Sequence, residues 1–232
     1  MAKCFTSWTV LAHEPIEKHS ENLWSVSGKM PGGNQRRMTV ARRADGKLVI
    51  HNAIALGDAE MKEIESLGEP GYLIVPNGFH RMDSVIYKQR YPKLNVLAPA
   101  SARKKVAQLV EVAGHLDEMP KDDAVELFHL RGMKQNEGAL RVKSASGVGV
   151  VFNDTLLNME PTGGIGGLAM GPTGTLSVPR FMRWVMMKNG AELKEHLNEL
   201  AGSAGLSHVV PGHGDVIAKD ASQRLQQAAA RL

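Results

Sequence analysis

The sequence contains the same order of predicted elements twice, and this order constrains the fold more than any other feature. A hairpin of two apolar strands is predicted over residues 36–56, and the Asp45-Gly46 pair inside it is a strong turn signal. Units of helix and strand follow this hairpin. A second hairpin over residues 139–157 is again followed by helices and a strand. We therefore expect one α/β domain over residues 1–232, with two sheets inside and helices outside.

Charge and cysteine content narrow the functional classes. The net charge is +4, but the basic residues are spread along the chain in no run of five, and only 5% of residues are aromatic. We therefore do not expect the protein to bind nucleic acid. The single cysteine, Cys4, excludes an internal disulfide, and we expect a cytoplasmic protein. No apolar run is long enough to span a membrane, so we expect no membrane partner. A small-molecule ligand or substrate is the expected partner, and homo-oligomers are left open.

Polar side chains follow four predicted strands directly. Ligands of α/β proteins collect at the carboxyl ends of strands, and a carboxylate after a buried strand needs a partner. These segments are therefore the candidate functional loops. They are residues 73–83 with Asn77, His80 and Asp83, residues 129–138 with Met133, Asn136 and Glu137, residues 150–158 with Asn153 and Asp154, and residues 209–215 with His213 and Asp215.

The order of these segments resembles that of the metallo-β-lactamase superfamily, from about Leu48 to about Ile217. The stretch VVFNDTLL is similar to the family's strand that ends in a metal-bridging aspartate, here Asp154. HVVPGHGD is similar to its last motif, whose histidine, here His213, is a metal ligand. YLIVPNGFHRMD lies where the family carries His-x-His-x-Asp-His, and LFHLRGMKQNEGAL lies where it carries Gly-His-Thr-x-Gly. The resemblance implies a four-layer αβ/βα sandwich of two mixed sheets, in a divergent branch of the superfamily.

The family's ligand set is depleted in this sequence. With His80 in the place of the second signature histidine, Gly78 takes the first, Met82 the aspartate and Asp83 the last histidine. Met133 takes the place of the middle-motif histidine. Glycine and methionine do not replace imidazole as zinc ligands, so the resemblance implies at most one ion. Its implied ligands are His80, Asp83, Asp154 and His213.

Two carboxylates and an imidazole that leave open positions suit iron(II), and oxygen-rich sets also accept manganese. The implied cofactor is thus one divalent ion, zinc, manganese or iron, or none. The implied activity is hydrolysis of a small ester, thioester, lactone or phosphoester. His80 and Asp154 are the predicted catalytic residues, with His80 acting as a ligand or as a general acid/base.

Each predicted ligand also has a structural alternative. Asp83 is well placed to cap the helix predicted to follow it, and His80 to bond to backbone. Asp154 is well placed to accept backbone N–H bonds in its turn, and His213 to pair with a carboxylate without metal. The rival hypothesis is therefore a metal-free, catalytically inactive scaffold of the same fold that binds a small molecule or a protein.

Three further segments carry predictions of structure. A helix is predicted over residues 101–114, with Ser101 as its cap. The glycine-rich residues 162–174 are predicted to form an irregular loop. A helix over residues 178–189 is predicted to bury Trp184, Met186 and Met187 in the core. By resemblance, the loop and this helix are also candidates to line the site.

Overall fold

The computed structural model describes residues 4–134, 137–161 and 163–232, and its chain divides into two compact units. The first unit is Met1–Leu127 and the second is Phe128–Leu232. Each unit has its own cluster of buried hydrophobic side chains. The single domain over residues 1–232 stays a prediction.

The first unit contains a six-stranded mixed sheet in which the strands follow one another in sequence order. The first four strands pair antiparallel, whereas β4, β5 and β6 pair parallel. The strands are β1 (Glu17–Ser20), β2 (Leu23–Lys29), β3 (Gln35–Arg42), β4 (Lys47–His51), β5 (Glu69–Ile74) and β6 (Asn95–Leu97). The helices are α1 (Asp58–Leu67), α2 (Ser84–Arg90) and α3 (Ala100–Val106).

The first predicted hairpin is confirmed as the β3–β4 pair. Its turn is closed by hydrogen bonds from Arg43 N to Lys47 O (2.9 Å) and from Gly46 N to Arg43 O (3.1 Å). Gly46 has a φ of 81°, a value that glycine adopts without the strain a side chain would add. β4 then runs through the buried core with Leu48, Val49 and Ile50 fully buried. This burial on both faces is typical of a strand with a parallel neighbour.

Helix α3 is shorter than the sequence predicts. It begins at Ala100, with Pro99 rather than Ser101 at the N-cap position, and it ends at Val106. The residues after it return to the sheet, because Ala113 N donates to Val96 O (2.9 Å) and Gly114 bridges to Leu97. Pairing with β6 therefore replaces the last turns of the predicted helix.

The second sheet has four strands in the order β10-β9-β8-β7. The second predicted hairpin is confirmed as the antiparallel β8–β9 pair, and β10 pairs parallel with β9, so this sheet is also mixed. The strands are β7 (Val125–His129), β8 (Gly138–Ser144), β9 (Gly147–Val151) and β10 (Leu206–Val210). The helices are α4 (Gly164–Met170), α5 (Arg180–Val185), α6 (Gly190–Ala201) and α7 (Ala221–Ala230).

Two predictions for the segment before α6 are wrong. The glycine-rich segment contains the helix α4, whose turns close through Gly167 N to Gly163 O and Gly171 N to Gly167 O, so it is not wholly irregular. Trp184 is not a core residue, because 76% of it is exposed. On the short helix α5 the inward position belongs to Met182, which is 5% exposed. Met186 and Met187 are only partly buried against the core.

The α/β fold class with two mixed sheets and helices is the one predicted from the sequence. None of the helices formed by the described residues combines the length and apolarity needed to cross a membrane.

Candidate functional site

Asp154 and His213 meet at one edge of the second sheet. Asp154 follows β9, and His213 follows β10. These strands are parallel neighbours, with Val150 opposite Val209 and Val151 opposite Val210. Both strands therefore end at the same edge of the sheet. The Nε2 atom of His213 lies 3.2 Å from Oδ1 of Asp154. Both side chains are partly buried, at 16% and 18% exposure. This contact is the pairing with a carboxylate that the sequence leaves open as an alternative to metal binding.

The two glycines beside His213 let the chain approach its neighbours closely. A Cβ on Gly214, whose φ is 84°, would overlap the carbonyl of Asn158. A Cβ on Gly212 would lie 2.9 Å from backbone atoms of Asn153. The approach is held by hydrogen bonds from Asn158 N to His213 O (3.1 Å) and from Gly212 N to Asn153 O (3.3 Å). Gly-His-Gly therefore fixes the imidazole beside the turn that carries Asp154.

Glu137 holds the turn after β9, although the sequence predicts no role for it in the site. Its carboxylate accepts hydrogen bonds from the backbone N–H groups of Asn153 (2.9 Å), Asp154 (2.9 Å) and Thr155 (3.1 Å). Burial, together with the nearby negative charge of Asp154, raises the pKa of Glu137 to about 7. The available signal was a carboxylate in one of the four strand-end segments. Asn136, named with it, lies outside the described residues.

His80 belongs to the first unit, in a loop after β5. Oδ1 of Asn77 accepts from the backbone N–H groups of Phe79 (2.8 Å) and His80 (3.1 Å) and shapes this loop. The ring atom Nδ1 of His80 lies 3.1 Å from Oδ1 of Asn52. Nδ2 of Asn52 donates to Arg37 O (2.8 Å), which fixes the orientation of the amide. Nδ1 of His80 is therefore the donor, and Nε2 carries the lone pair that binds a metal or a proton.

Asp83 has a different environment from the one the sequence predicts. It is 2% exposed and forms an ion pair with the equally buried Arg36, while its other oxygen accepts from Ala55 N (3.1 Å). It occupies the N-cap position of α2, but its side chain makes no capping hydrogen bond. Burial raises the pKa of Asp83, and the charge of Arg36 opposes that rise. Its role as a metal ligand stays a prediction, in which a cation would have to compete with Arg36.

The two methionines in the places of family ligands are core residues. Met82 is 4% exposed, and Met133 is 9% exposed and packs in the hydrophobic cluster of the second unit. Gly78 lies under the side chain of Lys105, whose Cδ would be 2.9 Å from an added Cβ. None of the three side chains offers a nitrogen or oxygen ligand, and the depleted ligand set stays a prediction from the resemblance.

Basic groups surround the loop that carries His80. Lys105 Nζ lies 5.4 Å from the ring centre of Phe79, which is 71% exposed. Arg81 donates to the carbonyl of Lys105. Between residues 77 and 110 the only carboxylate is Asp83, and Arg36 already neutralises it.

Comparisons with known proteins identify the fold. The chain is similar to the crystal structure of the metallo-β-lactamase DIM-1 exposed to ceftazidime, with 14% identity, a TM-score of 0.62 and coverage of 96% of this chain and 99% of that one. A metallo-β-lactamase from Erythrobacter litoralis matches with 9% identity, a TM-score of 0.59 and coverage of 94% and 96%. The mono-zinc form of FIM-1 from Pseudomonas aeruginosa matches with 10% identity, a TM-score of 0.59 and coverage of 94% and 95%.

No protein-family model matches the sequence, and no curated protein matches it. The solved structures show the fold alone at these identities: the chain has the metallo-β-lactamase fold. The resemblance inferred from its motifs is confirmed at that level.

Proposed function

We propose that this protein is a metal-dependent hydrolase with a reduced site for one divalent ion, which Asp154 and His213 bind. The observation that carries the proposal is the 3.2 Å separation of Asp154 Oδ1 and His213 Nε2. The proposed substrate is a small ester, thioester, lactone or phosphoester. The proposed ion is zinc, manganese or iron.

The pair fits a divalent ion in chemistry and in spacing. A carboxylate oxygen and an imidazole nitrogen are both common ligands of zinc, with bonds of about 2.0–2.2 Å. Two such bonds at a tetrahedral or octahedral angle place the ligand atoms roughly 3 Å apart, which the 3.2 Å separation matches. A divalent ion supplies Lewis acidity that polarises a carbonyl or phosphoryl oxygen.

Two further residues have defined tasks in the proposal. Glu137 fixes the backbone at Asp154 through three N–H bonds and so orients its carboxylate. His80 is the proposed third ligand or general acid/base, by resemblance to the family signature. Its Nε2 takes up or releases a proton because Asn52 holds the hydrogen on Nδ1. We exclude Asp83 from the preferred ligand set, since Arg36 and Ala55 occupy both of its oxygens.

The charge near His80 favours an anionic substrate within the proposed classes. Arg81, Lys104 and Lys105 lie within the surrounding segments, and their charge attracts a phosphoester more than a neutral lactone. Phe79 is exposed and supplies an apolar surface beside them. We therefore rank a phosphoester with an aromatic or apolar leaving group first.

Metal content tests the proposal directly. Protein purified without chelator is analysed for bound metal per chain, before and after dialysis against zinc or manganese. We expect about one ion per chain for the unmodified protein, and background levels for Asp154→Ala and His213→Ala. Asp215→Ala and His208→Ala are matched controls, since they remove the same residue types from the same unit and should leave the metal content unchanged.

Hydrolysis is then measured with p-nitrophenyl phosphate and p-nitrophenyl acetate on metal-loaded protein. We expect phosphate ester hydrolysis that EDTA abolishes and that His80→Ala strongly reduces. Hydrolysis of neither ester by fully loaded protein would contradict the proposed substrate classes.

The metal-free scaffold is the second candidate function. Its specific support is that Asp154 and His213 already pair with each other, while Met82 and Met133 are committed to the core. If the protein binds no metal after dialysis, the metal-free scaffold is the remaining candidate, with a small molecule or a protein as its partner. For both candidates a cytoplasmic location stays a proposal, as does the absence of a nucleic-acid partner.

A further inference from the structure

The exposed hydrophobic surface of the described residues is concentrated in one place. Six large hydrophobic side chains are exposed, and four of them lie between residues 168 and 185. These four are Leu168 (67%), Phe181 (38%), Trp184 (76%) and Val185 (57%), and we call them the α5 patch. A cluster of this kind on a folded chain marks an interaction surface.

The geometry of α5 places these side chains together. Phe181, Trp184 and Val185 are three and four residues apart and share one face of the helix. Met182, the neighbour of Phe181 in sequence, turns away from this face and is buried. Arg180 donates to the carbonyl of Leu168 (2.9 Å), so the last turn of α4 lies beside the first turn of α5.

Cations without acidic partners border the patch. Residues 161–191 contain no Asp or Glu. Arg180 and Arg183 bond to backbone carbonyls, and within the described residues neither forms an ion pair with a carboxylate. Burial and the charge of Arg180 lower the pKa of Arg183, so the two guanidinium groups lie close enough to repel each other. Lys134 adds a third cation, since its Nζ donates to Val185 O (2.6 Å).

These observations select the kind of partner. A second copy that used the same patch in a two-fold contact would bring these cations against themselves. An apolar surface that carries negative charge at its boundary is complementary to the patch. Anionic lipid headgroups above acyl chains have this arrangement, and tryptophan beside arginine or lysine is typical of side chains at that boundary.

We propose that the α5 patch docks this protein on the surface of an anionic lipid membrane. Trp184, Phe181 and Leu168 enter the boundary between headgroups and acyl chains, while Arg180, Arg183 and Lys134 contact lipid phosphates. This proposal revises the expectation of no membrane partner, because a surface contact needs no spanning segment. The contact is weak and reversible, since one short patch with few charges provides only part of a stable anchor.

Vesicle binding tests the proposal on the full chain. Cosedimentation is measured with vesicles of phosphatidylcholine alone and of phosphatidylcholine with phosphatidylglycerol, at low and high salt. Trp184 is by far the most exposed of the three tryptophans, so its fluorescence reports insertion. We expect binding to the anionic vesicles only, a blue shift of the emission, and loss of both at high salt.

Variants separate the two parts of the patch. Trp184→Ala with Phe181→Ala should abolish vesicle binding. Lys134→Gln with Arg180→Gln should weaken binding roughly 25-fold, at about fivefold per charge near an anionic surface. Phe79→Ala is the matched control, because it removes an exposed phenylalanine of the first unit and should leave binding unchanged.

Three results would overturn the proposal: no binding to anionic vesicles, binding that survives loss of Trp184 and Phe181, or equal binding to both vesicle types. Two further experiments test the alternative partners, a second copy by sedimentation velocity and an acidic protein by peptide competition. A dimer that Trp184→Ala dissociates, without vesicle binding, assigns the patch to a second copy. An acidic peptide that competes with vesicles without needing Trp184 assigns the cations to a protein partner.

Discussion

Asp83 in the first unit and Asp154 in the second differ in the charge that surrounds them, although the sequence predicts both as ligands of one metal. Asp83 is neutralised by Arg36 in the interior and also accepts a backbone N–H. Asp154 lies beside the imidazole of His213. A second carboxylate, that of Glu137, accepts a hydrogen bond from the backbone N–H of Asp154. Burial, together with the negative charge of Asp154, raises the pKa of Glu137.

The difference separates a structural carboxylate from a candidate ligand. A buried carboxylate that faces a guanidinium has its counter-charge already, and removal of either partner leaves a bare charge in the interior. Two carboxylates and an imidazole at one strand edge have more negative than positive charge, so an added cation lowers their free energy. The following predictions test this contrast, from the largest effect to the smallest.

Asp83→Asn should destabilise the protein by about 3–5 kcal/mol, because it leaves Arg36 buried without a counter-charge. Urea unfolding at neutral pH measures the change. Asp58→Asn is the matched control, since Asp58 pairs with Arg90 at 3.4 Å while its side chain is 84% exposed. The control should cost at most about 1 kcal/mol. Equal costs for the two variants would contradict the structural role of Asp83.

Glu137→Ala should destabilise the protein by about 1–3 kcal/mol, since three buried backbone N–H groups lose their acceptor. The amides of Asn153, Asp154 and Thr155 should also exchange faster with deuterium. Glu195→Ala, at an exposed position of α6, serves as the control and should change neither quantity. Unchanged exchange at the three amides would show that Glu137 does not hold this turn.

Asp154→Asn should change the free energy of unfolding by less than about 1 kcal/mol, because the lost contact with His213 is offset by relief of repulsion with Glu137. The same variant should lower bound metal to background. The two aspartates thus give opposite results. Asp154→Asn should lower the metal content without a large change in stability, whereas Asp83→Asn should lower stability without a change in metal content. A loss of metal in folded Asp83→Asn protein would restore Asp83 to the ligand set.

Asn52→Gly should have the smallest effect on stability, within about 1 kcal/mol, because glycine relieves the positive φ of 58° while hydrogen bonds are lost. Its effect is local to His80, whose proton should redistribute from Nδ1 to Nε2. Nitrogen-15 NMR of the imidazole measures this tautomer. Asn52→Asp keeps an acceptor and should retain the hydrogen on Nδ1. A tautomer that is the same in all three proteins would contradict the positioning role of Asn52.

Much of the fold follows from local sequence patterns. Asp45-Gly46 and Ser146-Gly147 mark the two hairpins, and apolar runs mark the strands on either side of them. The pairing of Asp154 with His213 was also accessible, because parallel strands end at one edge. The end of α3 could not be predicted from the sequence, because residues after Val106 pair with β6, and no local propensity encodes that contact.

The sequence alone determined the fold class and both hairpins, because turn residues and apolar periodicity are local properties. Tertiary structure decided which charge each carboxylate faces. Arg36 is 47 residues from Asp83, and Glu137 is 17 residues from Asp154, so neither partner is visible in the segment that carries the aspartate. It also decided that Trp184 points to solvent, because helical spacing fixes which residues share a face and packing fixes which face is buried.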